Sequence, residues 1–234
     1  MSLPGRERAP RHEHENFYWL QEDALRGRRA TATWRFTILR PQIVFGDAFG
    51  SNMNAIPALG VYAAVQRHDG RPLAFPGGAR FLTEAVDADI VAGALKWAAT
   101  SPNAADETFN VTNGDVFTIE DLWPGIADAF GMEVGGREPL SLAAAMPARQ
   151  ETWAALVRRF ALRSPERLTD FVGQSFIYAD LILGCGVETD PPPTLLSTVK
   201  IRQAGFQDCI DTEDMFRKWI GAFQEHGYLP PRRW

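Results

Sequence analysis

The chain has 234 residues, 45% of them hydrophobic and 23% charged, and a formal net charge of −5. That length supports a full core, in one large domain or two small ones, and the negative balance argues against a phosphate-backbone binder. Cys185 and Cys209 are the 2 cysteines; they make no disulfide framework and have no metal-ligand spacing, so the chain reads as cytoplasmic and metal-free.

Residues 1–15 are charged, lack the apolar run of a signal peptide, and are expected to be an irregular tail. His12-Glu13-His14 would face one way only on a strand, which this segment does not resemble, so it reads as solvated. A helix is expected from Asn16 to near Gly27. Thr31 to Leu39 alternates as a strand, with Trp34, Phe36 and Ile38 on one face and Thr37 and Leu39 on the other. Arg40-Pro41 ends it, and Gln42 to Gly46 continues as an extended turn.

Ser51 to Arg67 reads as a helix capped by Asn54, with Pro57 in the first turn, where its missing N–H costs nothing. Arg71 to Phe75 is a short strand. Asp87 to Thr100 is a helix with a stripe of Ile90, Val91, Ala94, Leu95 and Ala98, and Thr108 to Val111 is a strand ending at Asn113-Gly114. Thr118 and Asp121 resemble a capping box before a helix burying Leu122, Trp123, Ile126, Ala127 and Phe130 and stopped by Gly131. Pro124 makes Asp121 the alternative cap.

After Gly136 helices follow without evident strands: Leu142 to Met146, Glu151 to Leu162, and a very apolar one within Ser164 to Leu183. The run from Phe171 to Val187 is interrupted by Gln174, Asp180 and glycines, so it reads as a buried helix rather than a membrane span. Asp190-Pro191-Pro192-Pro193 is a stiff connector. Asp211 caps a last helix with Met215, Phe216, Trp219, Ile220 and Phe223 on one stripe. The division is an irregular tail at 1–15, an α/β part at 16–135 and a mostly helical part at 136–234.

No glycine-rich dinucleotide loop is present; Gly77-Gly78 and Gly135-Gly136 do not lead from a strand into a helix. A Gly-x-Ser-x-Gly elbow and a metal triad are also missing. Taken residue by residue, the chain is an α/β piece with a helical subdomain and no named chemistry.

Several segments taken together carry more. Asn16-Phe17-Tyr18 with Glu22-Asp23, Thr33-Trp34 through Arg40-Pro41, and Val44-Phe45-Gly46 resemble the progesterone 5β-reductase and iridoid synthase-like enzymes of the extended short-chain dehydrogenase/reductase superfamily. Ser51, Met53-Asn54, Val61-Tyr62-Ala63, His68, Val86 to Asp89, Trp97-Ala98-Ala99, Phe109 to Phe117 and Leu122-Trp123 are similar as well. Gly205-Phe206 and Trp219-Ile220 match more loosely. The resemblance covers residues 15 to 229.

The resemblance implies the C-terminal part of an extended Rossmann-like fold with a helical substrate subdomain, lacking most of the nucleotide-binding half. It implies an oxidoreductase that uses NADP(H), with NAD(H) as the variant, to reduce a C=C bond conjugated to a carbonyl. Tyr18 would be catalytic, donating to the oxygen where enolate charge develops. Arg40, Pro41 and Val44 would bind the cofactor on the nicotinamide side, and Ser51 and Asn54 would meet the substrate. The expected partner is a small-molecule carbonyl compound, with no nucleic acid and no membrane; a homodimer stays open. Ordinary superfamily members place a lysine one turn after the tyrosine; here Glu22 stands there, and the subfamily draws its lysine from an earlier segment. That glutamate also speaks against a nucleotide-sugar epimerase.

Blander readings stand beside these. Tyr18 could be a packing aromatic, Arg40-Pro41 a strand terminator, Asn54 only a cap, and Asn110 to Asp115 a structural turn. At the level of the whole chain the alternative is a non-catalytic remnant or interaction module of the same fold.

Overall fold

The computed structural model describes residues 3–11 and 13–234, so the reading of His12 lies outside the described residues. In chain order the elements are α1 Phe17–Arg29, β1 Thr37–Pro41, β2 Ile43–Phe45, α2 Ile56–His68, β3 Leu73–Phe75, β4 Ala85–Asp87, α3 Ala88–Thr100 and β5 Glu107–Val111. Then follow α4 Trp123–Ala129, β6 Val134–Arg137, α5 Leu142–Ala145, α6 Gln150–Phe160, α7 Leu168–Val172, α8 Ser175–Ile182, α9 Val199–Gln203 and α10 Thr212–Glu225. The strands form three parallel pairs, β1 with β5, β2 with β4, and β3 with β6.

The β1–β5 pair is two-faced, as the strand period requires. Leu39, Phe109 and Val111 join one apolar cluster with Ile90, Ala94 and Trp97 of α3 and with Ile201 of α9. The opposite face presents Arg40, Thr108 and Asn110, and α1 lies against it through polar contacts. The second and larger core surrounds α2, nearly all of whose residues are buried, with Trp123, Trp153, Phe171, Phe216 and Phe223 packed around it. A helix apolar all round belongs in such an interior.

Several expectations need correction. Thr31 to Phe36 is not strand: β5 begins only at Glu107, opposite Thr37, so the residues before Thr37 have no ladder partner. Gln42 to Gly46 is not merely a turn, because Ile43–Phe45 pairs with Ala85–Asp87. The second helix starts at Ile56 with Ala55 at the cap; Asn54 sits one residue earlier and accepts from the Ile56 amide at 3.2 Å. Thr118 and Asp121 bond each other in the turn ahead of α4, whose cap is Leu122, so neither is the cap.

Leu95 is exposed, since the contact face of α3 is narrower than the apolar stripe. The apolar segment 164–183 is two helices, separated at Gly173, whose φ of 58° lies in the left-handed region that glycine tolerates best. The part after Gly136 is helical as expected, yet β6 straddles that boundary. No helix among the described residues is long and apolar enough to cross a membrane. The Asp211 cap of α10 and its buried stripe stand as read from the sequence.

The tail, though irregular, is docked. Gly5 forms a parallel bridge with Leu196, and Glu7 accepts from the Asn110 backbone amide at 2.9 Å.

Candidate active site

Asn16 caps α1 by accepting from the Tyr18 amide at 3.0 Å, which places Tyr18 in the first turn. Its ring is 57% exposed and lies 4.0 Å, centroid to centroid, from that of Phe17. Glu22, one turn on, is the only buried residue of α1, at 6% exposure. Residues three and four apart share a helix face, and on α1 that face is polar.

Three contacts fix where this face points. Arg40 donates from Nε to Glu22 Oε1 at 3.0 Å and from Nη2 to both carboxylate oxygens at 2.7 and 2.9 Å. Arg26 donates to Thr108 Oγ1 at 3.0 Å, and Arg29 Nε to Asp106 Oδ1 at 2.8 Å. Since Arg40 stands opposite Asn110 in the ladder, residues 22, 26 and 29 step along the strand pair from its carboxyl end toward its amino end. Tyr18 is the next position on that face, one turn beyond Glu22 in the direction of the carboxyl ends of β1 and β5. Ligands of open α/β sheets bind at that end of the strands.

Arg11 closes the cluster from the tail, donating to Glu22 Oε2 at 3.3 Å and to Asp23 Oδ1 and Oδ2 at 2.8 and 2.9 Å. Its hydrogen bond holds the Asp23 carboxyl below the ordinary carboxylate range. Glu84, just before β4, is buried and accepts from the Leu196 amide at 2.6 Å. Burial pushes its carboxyl up, against the hydrogen bonds from Leu196 and Gln42.

Of the other expected cofactor residues, Arg40 and Pro41 close β1, and Val44 is exposed in β2. Ser51 and Asn54 lie farther on, in the loop after β2. The Ser51 carbonyl accepts from Ser175 Oγ at 2.7 Å. Asn54 is buried, and its Nδ2 donates to the Gly46 and Ala48 carbonyls, each at 2.7 Å, so its amide holds the loop. A recess of about 500 Å³ lined by Asp47, Phe49, Arg163, His226 and Tyr228 contains none of the expected site residues. Among the described residues no group of His, Cys, Asp and Glu is arranged to hold a metal ion.

The Glu22–Arg40 pair was not foreseen. Its signal was in the sequence as the polar sequence Glu22, Arg26, Arg29 at helical spacing, which marks a face opposed to something other than solvent.

No protein-family model matches the chain. The 3-oxo-Delta(4,5)-steroid 5-beta-reductase of Arabidopsis thaliana is 35% identical over 237 aligned positions, which cover 97% of this chain and 58% of the relative. The (S)-8-oxocitronellyl enol synthase of Antirrhinum majus is 33% identical, covering 97% of this chain and 58% of that protein. The chain therefore spans little more than half the length of these relatives.

Among solved structures, the terminal R domain of the myxalamid PKS-NRPS pathway superposes with a TM-score of 0.59 at 19% identity, over 99% of this chain and 56% of that one. A short-chain dehydrogenase/reductase superfamily protein from Agrobacterium tumefaciens, solved with bound NAD, gives 0.55 at 15% identity, over 96% and 62%. At such identities the structural likeness shows the fold alone, an α/β Rossmann-like one. In sequence the chain is thus similar to a steroid 5-beta-reductase and to 8-oxocitronellyl enol synthases along little more than half of their length, and it shares the α/β Rossmann-like fold of these solved structures.

Proposed function

We propose that this chain is the tyrosine-bearing part of an NAD(P)H-dependent enone or enal reductase of the cytoplasm. The observation that supports this reading is the α1 face that steps along β1–β5 through Glu22, Arg26 and Arg29, with Tyr18 one turn beyond Glu22 toward the strands' carboxyl ends. A reduced nicotinamide, when bound, would supply hydride to the carbon remote from the carbonyl. The electron pair displaced from the C=C bond then gathers on the carbonyl oxygen, and the Tyr18 hydroxyl donates to that oxygen as its charge grows. Pro41 and Val44 wall the nicotinamide side beside Arg40. Ser51 stands toward the substrate, and Asn54 acts there through the loop it holds.

The cofactor fits at one end only. Pro41 and the 37%-exposed Val44 offer apolar surface beside the strand ends. The diphosphate does not fit the junction where β4 runs directly into α3, because Asp87 already caps that helix and Asp89 lies in its first turn. A helix N-terminus binds an anion through free amides, and here a carboxylate holds them. This reading assigns the diphosphate loop to the part of the relatives that the chain does not span.

A chimera joining the unmatched portion of the Arabidopsis thaliana reductase to this chain tests the proposal. NADPH consumption with a small enone is expected, falling about 100- to 1000-fold on Tyr18→Phe, as for loss of one donor to a developing oxyanion. A folded, NADPH-binding chimera indifferent to Tyr18→Phe refutes it. The Asp87-capped junction favours a second reading, a non-catalytic module of the same fold. Fluorescence titration of NADPH against the chain alone separates the two, since micromolar binding defeats the module reading.

A further inference from the structure

We propose that Glu22 and Arg40 form a positioning pair that sets the rotation of α1 about its axis, and with it the direction of the Tyr18 hydroxyl. The proposal rests on the reading of Tyr18 as the donor and adds the residues that aim it. It also changes the part played by Arg40, from wall of the cofactor site to anchor of the tyrosine helix.

Helices on a sheet ordinarily take their orientation from a buried apolar stripe. None of the apolar residues of α1 is buried: Phe17, Leu20 and Leu25 are exposed, and Glu22 alone is enclosed. Side-chain polar contacts therefore fix the azimuth of this helix. Two of them, Arg26 to Thr108 and Arg29 to Asp106, are made by long flexible side chains in the last two turns.

Glu22 is different. Its side chain is 8% exposed, shorter, and engaged from both sides, by Arg40 on β1 and by Arg11 from the tail. An enclosed carboxylate is costly unless paired, and a planar guanidinium held at two nitrogens constrains angle as well as distance. Tyr18 lies one turn from that constraint on the same face. A small rotation at Glu22 swings the phenol by a comparable angle across the strand ends, where misplacement by an ångström is enough to lose alignment.

The residue at this helix position thereby has a different task from a lysine there. A lysine would act on the phenol by charge. Glu22 carries charge that Arg40 and Arg11 balance, and it acts by geometry.

The test uses the chain itself and requires no turnover, so it can fail or succeed independently of the reductase reading. Fluorotyrosine is placed at position 18, and fluorine resonances are compared for the parent, Glu22→Gln, Arg40→Gln, the exchange Glu22→Arg/Arg40→Glu, and Arg26→Gln. The single changes at 22 and 40 are expected to displace and broaden the Tyr18 resonance and to speed amide exchange in the first two turns of α1. The exchange is expected to restore both, and Arg26→Gln, which loosens only the later turns of α1, to move the resonance less than either single change. If a single variant fails to fold, the exchange variant decides by whether the parental resonance returns. A Tyr18 resonance that stays parental in Glu22→Gln while the melting temperature drops overturns the proposal, because the pair would then be structural only. So does an exchange variant that folds without recovering it.

Discussion

Lys218 reaches from α10 to the N-terminus of α3, where its Nζ lies 2.8 Å from Asp87 Oδ2 and 2.6 Å from Asp89 Oδ2. The Asp87 side chain is fully enclosed, caps α3 through the Asp89 amide and, among the described residues, receives no other cation. Removing the ammonium strands a buried carboxylate, an error that costs more than the pair contributes. Lys218→Met is expected to lower stability by about 2 kcal/mol, below the full value for a buried pair because Lys218 is partly exposed. Urea unfolding checks it, and Asp87→Asn in the same background should recover part of the loss.

The same lysine sets an alkaline limit. Burial pulls the Lys218 ammonium down, but the hydrogen bonds and charges of Asp87 and Asp89 outweigh it, leaving it raised. A raised ammonium binds its proton more tightly folded than unfolded. Its contribution is full below the ordinary lysine value and disappears as pH climbs through the raised one. Melting temperature in alkaline buffers should fall more steeply for the parent than for Lys218→Met.

Glu84 predicts a loss of the same sign, beginning at lower pH. Its carboxyl is raised chiefly by burial, so the folded chain holds a proton there longer than the unfolded chain. Stability is highest below the ordinary carboxylate range and declines as pH rises through the raised value. Glu84→Gln keeps an acceptor for the Leu196 amide and cannot ionise. It is expected to melt higher than the parent at neutral pH and to lose that advantage in acid; a parental melting temperature at neutral pH would contradict the assignment.

Gly78 passes so close to the end of α8 that an added Cβ would lie 2.1 Å from the Gly184 carbonyl oxygen. That neighbour is backbone, and the approach is held by the Gly78 amide donating to Leu183 O at 3.0 Å. Gly78→Ala should cost about 3 kcal/mol, at the upper end of overpacking losses. Gly136→Ala, which meets nothing within 4 Å, is the control and should unfold at the parental urea concentration.

Trp153 stacks on Phe171 with centroids 5.1 Å apart and planes 9° from parallel, and its Nε1 donates to the Pro165 carbonyl at 3.0 Å. Trp153→Ala removes a fully enclosed aromatic and a hydrogen bond together. A loss of about 4 kcal/mol is expected, measured by calorimetry.

Periodicity made the helices legible. The stripe of α10 and its Asp211 cap were readable because an amphipathic helix announces both its face and its start. The short parallel strands were less so. Leu73–Phe75 was readable as a strand, but Ile43–Phe45 and Ala85–Asp87 are three residues each, too short for alternation to register, and they pair across about forty residues of chain. Thr31 to Phe36 failed the other way, alternating without a partner to pair with. At the candidate site, the motif around Tyr18 was legible by resemblance, whereas the Glu22–Arg40 contact depends on a crossing of helix and strand that spacing alone does not encode.

β1 pairs with β5 and, among the described residues, with no second strand. Pro41 and the charged Arg40 blunt one end of its open edge, leaving Thr37, Ile38 and Leu39 as a short template for another backbone. How this chain behaves when concentrated is therefore governed by three peptide units rather than by its net charge. Salt should do little to suppress self-association through that edge, whereas a charge placed within it by Ile38→Lys should do much.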